Sequence, residues 1–309
     1  MTIDGHRPDG PHGEVVLNGL ARDLCTDTLG AASVAATQRL EVRADFISDQ
    51  CVHAISAEPS EAALALLVGV GSRSGFRRAV GQALPSSLGD GSLLSLMLDE
   101  VPIVTSLSRL ALLHSDAIDM TPGSGDPANR RSGKVDICAG WESGSSMSQR
   151  IAMGRKPLLT PGTPSPPLDV PDDPIAWHEM AALPPLGFRR RRRIDLTLQD
   201  DDRLIAVDSI FRDAYVTAEL VERIVHEYVV TAQVDRVTGR FVECAAQANV
   251  LPAPECNRAE ASAQRLIGMQ ASAVLDFVRA EMHGITIGTH LNDHLRSLGD
   301  VHALITLLH

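Results

Sequence analysis

From Ile194 to Ala248 apolar and polar residues alternate in four short runs, a period of two that suits half-buried strands and no helix. The runs are Ile194–Leu198, Arg203–Asp213, Ile224–Asp235 and Arg240–Ala248, with Val237–Gly239 as the turn between the last two. Connections this short make consecutive strands antiparallel, so the segment reads as a meander. Glu219–Arg223 reads as a helical turn before the third run. Beyond Leu251–Cys256 the period lengthens: Leu266, Met269, Val274, Phe277, Val278 and Met282, then Leu291, Leu295, Leu298 and Val301, have helical spacing. The expected fold class is therefore α+β, an antiparallel meander sheet with helices on one face.

Three units are expected. Residues 120–187 concentrate Pro, Gly and Ser, a composition that favours extended chain with little to bury, and they read as a connector. Within it Asp136–Trp141, followed by Met147, Ile151 and Met153, offers a Trp anchor and an apolar stripe, the makings of an ordered arm docked on a domain. Residues 188–309 form the α+β domain with the site, and residues 1–119 read as a degenerate copy of it. With a shift of 190 positions Leu17–Asp23 lies over Val207–Asp213 and Asp45–Asp49 over Asp235–Gly239; after a deletion Leu67–Gly69 lies over Leu266–Gly268 and Leu88–Gly89 over Ile287–Gly288. The halves are thus expected to be a duplicated pseudo-twofold pair. Only the second copy carries certain polar residues: His226 faces Ala36, Glu227 faces Thr37, His290 faces Gly91, and Asn292 and Asp293 face Leu93 and Leu94.

Composition narrows function. The 309 residues carry a net charge of -11 with 3% aromatics, which argues against a nucleic-acid partner. No window approaches the roughly 18 apolar residues of a membrane helix, and Met1–Gly13 lacks a secretory pattern, so a cytoplasmic location without a membrane partner is expected. Five widely spaced cysteines without a Cys-x-x-Cys pair read as free thiols. Nucleotide loops, a Gly-x-Ser-x-Gly elbow and a paired-carboxylate motif are missing, so no cofactor is expected.

The C-terminal part resembles a bacterial family known only as a domain of unknown function, DUF2889. The match rests on Arg189–Asp195, Arg212–Asp213, His226–Tyr228, Leu251–Cys256 and Gly288–Asp293, with Asp136–Trp141 similar to a segment of longer members. The family pattern usually has a Cys just before Thr289, where this chain has Ile287 and Gly288, so a thiol role there does not carry over.

Thr289 is a good N-cap, which places His290 in the first helical turn, where the dipole favours a neutral, proton-accepting imidazole. The bland alternative is that His290 and Asp293 only pin the helix. His226 lies on a strand, on the same face as Tyr228 and opposite Glu227. Cys256 follows two prolines that hold its loop extended. His290 and His294 are four apart and share a helix side, but no Glu sits where a His-Glu-x-x-His zinc helix needs it, so no metal is expected. The five arginines Arg189–Arg193 read as a solvated face. The leading reading is a cofactor-independent acid–base enzyme, a lyase or isomerase acting on a small aromatic or phenolic catabolite. In it His226 and His290 transfer protons, Asp293 orients one imidazole, Cys256 completes the catalytic set, and Arg212, Tyr228 and Asn292 bind substrate. A non-enzymatic binding or assembly module and a metal-dependent hydrolase are the alternatives, and a homo-oligomer is compatible with each.

Overall fold

The computed structural model describes residues 1–45, 50–73, 75–85, 91–114, 135–153, 162–168, 170, 173–199 and 202–308. Within them the class is α+β. Nine strands, β1 (Thr2–His6), β2 (Val15–Thr26), β3 (Ala32–Ala44), β4 (Val52–Glu58), β5 (Thr163–Pro164), β6 (Phe188–Leu198), β7 (Leu204–Val216), β8 (Glu222–Asp235) and β9 (Arg240–Val250), form one antiparallel sheet. Its order is β4-β3-β2-β1-β6-β7-β8, and β8 then pairs with β9 along most of its length and with β5 at its start. The helices are α1 (Phe76–Ala83), α2 (Leu93–His114), α3 (Ser146–Ala152), α4 (Val274–Glu281), α5 (Thr289–Ser297) and α6 (Val301–Leu304), with a 3₁₀ helix over Pro254–Leu266. No described helix is long and apolar enough to cross a membrane.

The seam between the halves is the β1/β6 ladder, in which Thr2 pairs with Arg191 and Gly5 with Phe188. Helix α2 lies across it, touching β1, β2 and β3 on one side and β6 and β7 on the other. Its residues Met97, Leu98, Val101 and Val104 are wholly buried because the helix covers both half-sheets. Gly5 has no alternative at the seam, since a β-carbon there would overlap the Phe188 ring. Gly5→Ala is expected to cost about 1–3 kcal/mol by overpacking, read as a lower urea midpoint at unchanged slope.

The halves share local geometry where the sequence alignment put it. The β2/β3 register slips between Asp23 and Leu24, and the β7/β8 register slips between Asp213 and Ala214. The hairpin turns match as well: Asp27 N–H donates to the Ala31 carbonyl and Gly30 N–H to that of Asp27, as Thr217 does to Val221 and Leu220 to Thr217. Gly69 and Gly268, both at positive φ, donate to the Val52 and Phe241 carbonyls. Phe46–Asp49 and Leu88–Gly89, also part of the alignment, lie outside the described residues.

Three expectations need correction. Glu219–Arg223 is no helical turn: the tight Thr217–Val221 hairpin turn leaves Glu222 and Arg223 already in β8. The five arginines are not a solvated face. They lie in β6, the central strand beside the seam, and Arg189–Arg192 are buried because both faces of the sheet supply carboxylates. Arg190 and Arg192 point to the helix side, while Arg189 meets Asp4 and Arg191 meets Glu222. The described part of the connector is also no free spacer. Thr163–Pro164 adds a strand to β8, and the 173–187 stretch packs on the sheet, with the His178 Nε2 2.8 Å from Thr2 Oγ1 and the Ala181 carbonyl accepting from Arg189. The Asp136–Trp141 island docks on the C-terminal half: Ala139 N–H donates to the Ile287 carbonyl, and Cys138 is buried in that core. Connector residues 120–134, 154–161, 169 and 171–172 lie outside the described residues.

Candidate functional site

Asp213 on β7 sits directly across from Arg190 on β6 and from His226 on β8, so the ladder itself brings three polar side chains to the helix side of the sheet. The register slip beside Asp213 leaves Val225 unpaired and ends regular pairing there, a common device next to sites. Helix α5 supplies the fourth member. His290, in its first turn as its N-terminal position predicts, stacks on His226 with ring centroids 3.5 Å apart and planes 20° from parallel.

The two imidazoles share one carboxylate. Asp213 Oδ2 is 3.5 Å from His290 Nδ1 and 3.7 Å from His226 Nδ1, longer than formed hydrogen bonds, and neither Nδ1 has another partner among the described residues. Arg190 clamps the same carboxylate with Nε to Oδ1 at 2.8 Å and NH2 to Oδ2 at 2.7 Å. Burial pushes the Asp213 carboxyl up, but the Arg190 guanidinium outweighs it and holds the group well below the usual carboxylate range. Burial, reinforced by His290, drives His226 well below the usual imidazole range, so His226 is neutral. The environments differ: His226 is sealed, whereas the His290 side chain is 23% exposed. One ring is open to solvent and the other is not.

Behind this group lies an ionic network contributed by both halves. Glu100 of α2 accepts from Arg190 and forms an ion pair with Arg192 at 2.5 Å. Asp99, its neighbour, accepts from Arg77 at 2.8 Å, Arg279 at 2.6 Å and Arg296 at 2.8 Å. Burial works against the Asp99 charge, yet these three guanidinia hold it far below the usual range. Asp99 and Glu100 were missed in the sequence. Their signal was two adjacent carboxylates inside an otherwise apolar helical run, matched by the alternating arginines of β6.

Of the residues expected in the site, the structure brings His226 and His290 together, while Tyr228, two positions along β8, is buried with its hydroxyl next to Gly288. Asp293 does not orient an imidazole. Its Oδ1 takes the Arg296 NH2 at 2.5 Å, and it stands 3.8 Å from Arg190, because it falls on the helix side that faces the arginines. Arg212 is not brought to the stacked pair: its odd step along β7 turns it to the opposite face, where it pairs with Glu227 and donates to Ser165 and the Pro166 carbonyl. Asn292 donates its Nδ2 to the Met282 carbonyl at 2.9 Å, and its Oδ1 is buried without a hydrogen-bond partner among the described residues. Cys256 packs against Gly140 of the docked arm, and burial pushes its thiol up to about 12, so it is a poor nucleophile there. His294 is fully buried against Phe211, 5.7 Å between ring centroids, away from the stacked pair.

Asp213, His226 and His290 each offer a ligand atom within 4.8 Å of the others. The residues do not fit a metal ion as arranged. An imidazole binds metal in its ring plane, and two rings stacked nearly parallel aim their lone pairs side by side instead of at one point. Arg190 also occupies both oxygens of the only carboxylate in the group, and a cation would join a site already lined by guanidinia.

No curated protein and no solved structure matches the chain. One family model does, over the segment that holds Arg190, Asp213, His226 and His290. Residues 188–304, the C-terminal part of the chain, match the model of the family described as Protein of unknown function (DUF2889).

Proposed function

We propose that the chain is a proton-transfer enzyme working on a small molecule, with His290 as the acid–base group, Asp213 as the carboxylate that stabilises its charged form, and His226 as a neutral ring stacked beneath it. The observation that carries this is the asymmetry of the pair: two imidazoles share one buried carboxylate, and only His290 opens to solvent. Two stacked imidazolium rings would repel, so the pair holds one proton at most, and a neutral His226 leaves that proton to His290. An isomerase of an aromatic or phenolic catabolite needs this group to take a carbon-bound proton and return it at another carbon. A lyase needs it to take that proton, the C–H electrons forming the new double bond as the bond to the leaving group breaks, and to hand the proton to the departing group. Such a substrate finds its polar contact at His290, without Arg212. The same reading takes the halves as descendants of one duplicated unit. The paired register slips, turns and positive-φ glycines support it, and so does Asp23, which stands 190 positions before Asp213 and pairs with Ala36 where Asp213 pairs with His226.

The test is solvent exchange. Incubated in deuterium oxide with a panel of phenolic and hydroxy-acid compounds, the protein is expected to exchange a carbon-bound proton of its substrate, visible as loss of a proton NMR signal. His290→Gln is expected to lower that rate by roughly 10²–10⁴-fold while shifting stability by less than about 1 kcal/mol, since the side chain is partly exposed. Exchange that survives His290→Gln undiminished would sink the assignment.

A further inference from the structure

We infer that Glu100, a residue of the first half, is a positioning residue for the histidine pair of the second: it shares the Arg190 guanidinium with Asp213 and thereby fixes how much negative charge Asp213 presents to His290. The inference rests on the proton-transfer reading for its purpose, but not for its geometry. Arg190 offers its Nε/NH2 edge to Asp213 and its NH1 to Glu100, and all three side chains are completely buried. The other Glu100 oxygen holds Arg192, two positions along the same strand face. Glu100 therefore neutralises two like charges that would otherwise crowd Asp213. With it present, part of the Arg190 charge is answered from α2, and the Asp213 carboxylate keeps more of its own for an imidazolium at His290. Without it, Arg190 bears on Asp213 with only the more distant Asp293, at 3.8 Å, to share its charge, and Arg192 keeps its bond of 3.1 Å to the Asp293 carbonyl.

The charged and titratable groups around His290 are Asp213 on β7, His226 and Tyr228 on β8, Arg190 on β6, Asp293 on its own helix with Arg77 and Arg296 against it, and Glu100 on α2. Among the carboxylates, Glu100 is the one that the first half adds to Arg190. The site is thus composite. The chemistry-bearing rings belong to the C-terminal half, and a carboxylate 90 positions before Arg190 in the chain tunes them.

The experiment follows the imidazole signals of the full-length protein by NMR as a function of pH, with His290 assigned through its disappearance in His290→Gln. Glu100→Gln removes a negative charge two contacts away, so the His290 titration midpoint is expected to fall by about one pH unit. A residue that serves only stability would leave the midpoint of the folded protein where it was. Should Glu100→Gln not fold, Glu100→Asp keeps the charge but withdraws it by one methylene, and a smaller fall is expected. A midpoint unchanged within a few tenths of a unit in the folded variant overturns the inference. That outcome is independent of exchange activity, so a failure here and a failure of the enzymatic reading are told apart.

Discussion

Arg190→Met is expected to cost about 3–5 kcal/mol of folding stability, enough on a typical total of about 5–15 to leave the protein partly unfolded at 37 °C. The reason is the count of groups left behind, more than any worth of the ion pairs themselves. Arg190 is wholly buried, with Asp213 and Glu100 bound to it and Asp293 at 3.8 Å. Met fills similar space but returns no charge, so carboxylates with no access to water must either stay ionised without partners or take up protons far above their folded-state preference. Urea unfolding followed by circular dichroism measures the loss. Arg193→Met is the matched control, because Arg193 stands on the same strand with its side chain 24% exposed, Asp195 as its ion-pair partner and the Trp177 ring 5.5 Å from its guanidinium; its cost should stay under about 1 kcal/mol. Equal losses at the two positions would mean that the buried network is worth no more than a surface pair.

Acidification is expected to destabilise the fold well before carboxylates titrate. Burial holds His226 and His294 neutral, both far below the usual imidazole range in the folded chain. In the unfolded chain each takes a proton near pH 6.5. A depressed folded-state value means that the stability is present above that pH and lost as the pH falls, because only the unfolded state binds the protons. Two protons correspond to a slope of about 2.7 kcal/mol per pH unit below roughly pH 6. His178, pushed down to about 4 chiefly by burial, acts in the same direction. Below about pH 4 the loss steepens, since Asp99 and Asp213, depressed by their arginines, keep their charges while the unfolded carboxylates protonate. Urea midpoints at pH 7.5, 6.5 and 5.5 give the slope, and His294→Phe should lower it by one proton's share, about 1.4 kcal/mol per pH unit. Stability that stays flat from pH 7.5 to 5 would contradict the burial of these imidazoles.

The strands of the second half were legible where burial alternates, as over Leu204–Phe211 of β7, and the docking of Asp136–Trp141 was legible from a Trp and an apolar stripe in a Pro-rich setting. The arginine run was misread for a physical reason. Charge runs are solvated unless carboxylates meet them, and the carboxylates that meet these arginines come from Asp4, Glu100, Asp213 and Glu222, far apart in sequence. The same dispersal hid the site. His226 and His290 stood out as isolated polar residues among apolar ones. The carboxylate they share appeared only as the second letter of Arg212–Asp213, and the first of that pair drew the functional reading although strand parity turns it to the other face.

The β1/β6 seam has a consequence for synthesis on the ribosome. Thr2 of β1 pairs with Arg191 of β6, 189 positions later, and at about 5–20 residues per second the partner strand emerges roughly 10 to 40 s after the first. Throughout that interval β1 has one open edge, and the first core lacks Phe188, Tyr215 and Val225, which the second half donates to it. A nascent chain stalled before β6 would thus display an unpaired strand and an apolar gap together, a surface suited to chaperone capture and, failing that, to pairing with another unfinished copy.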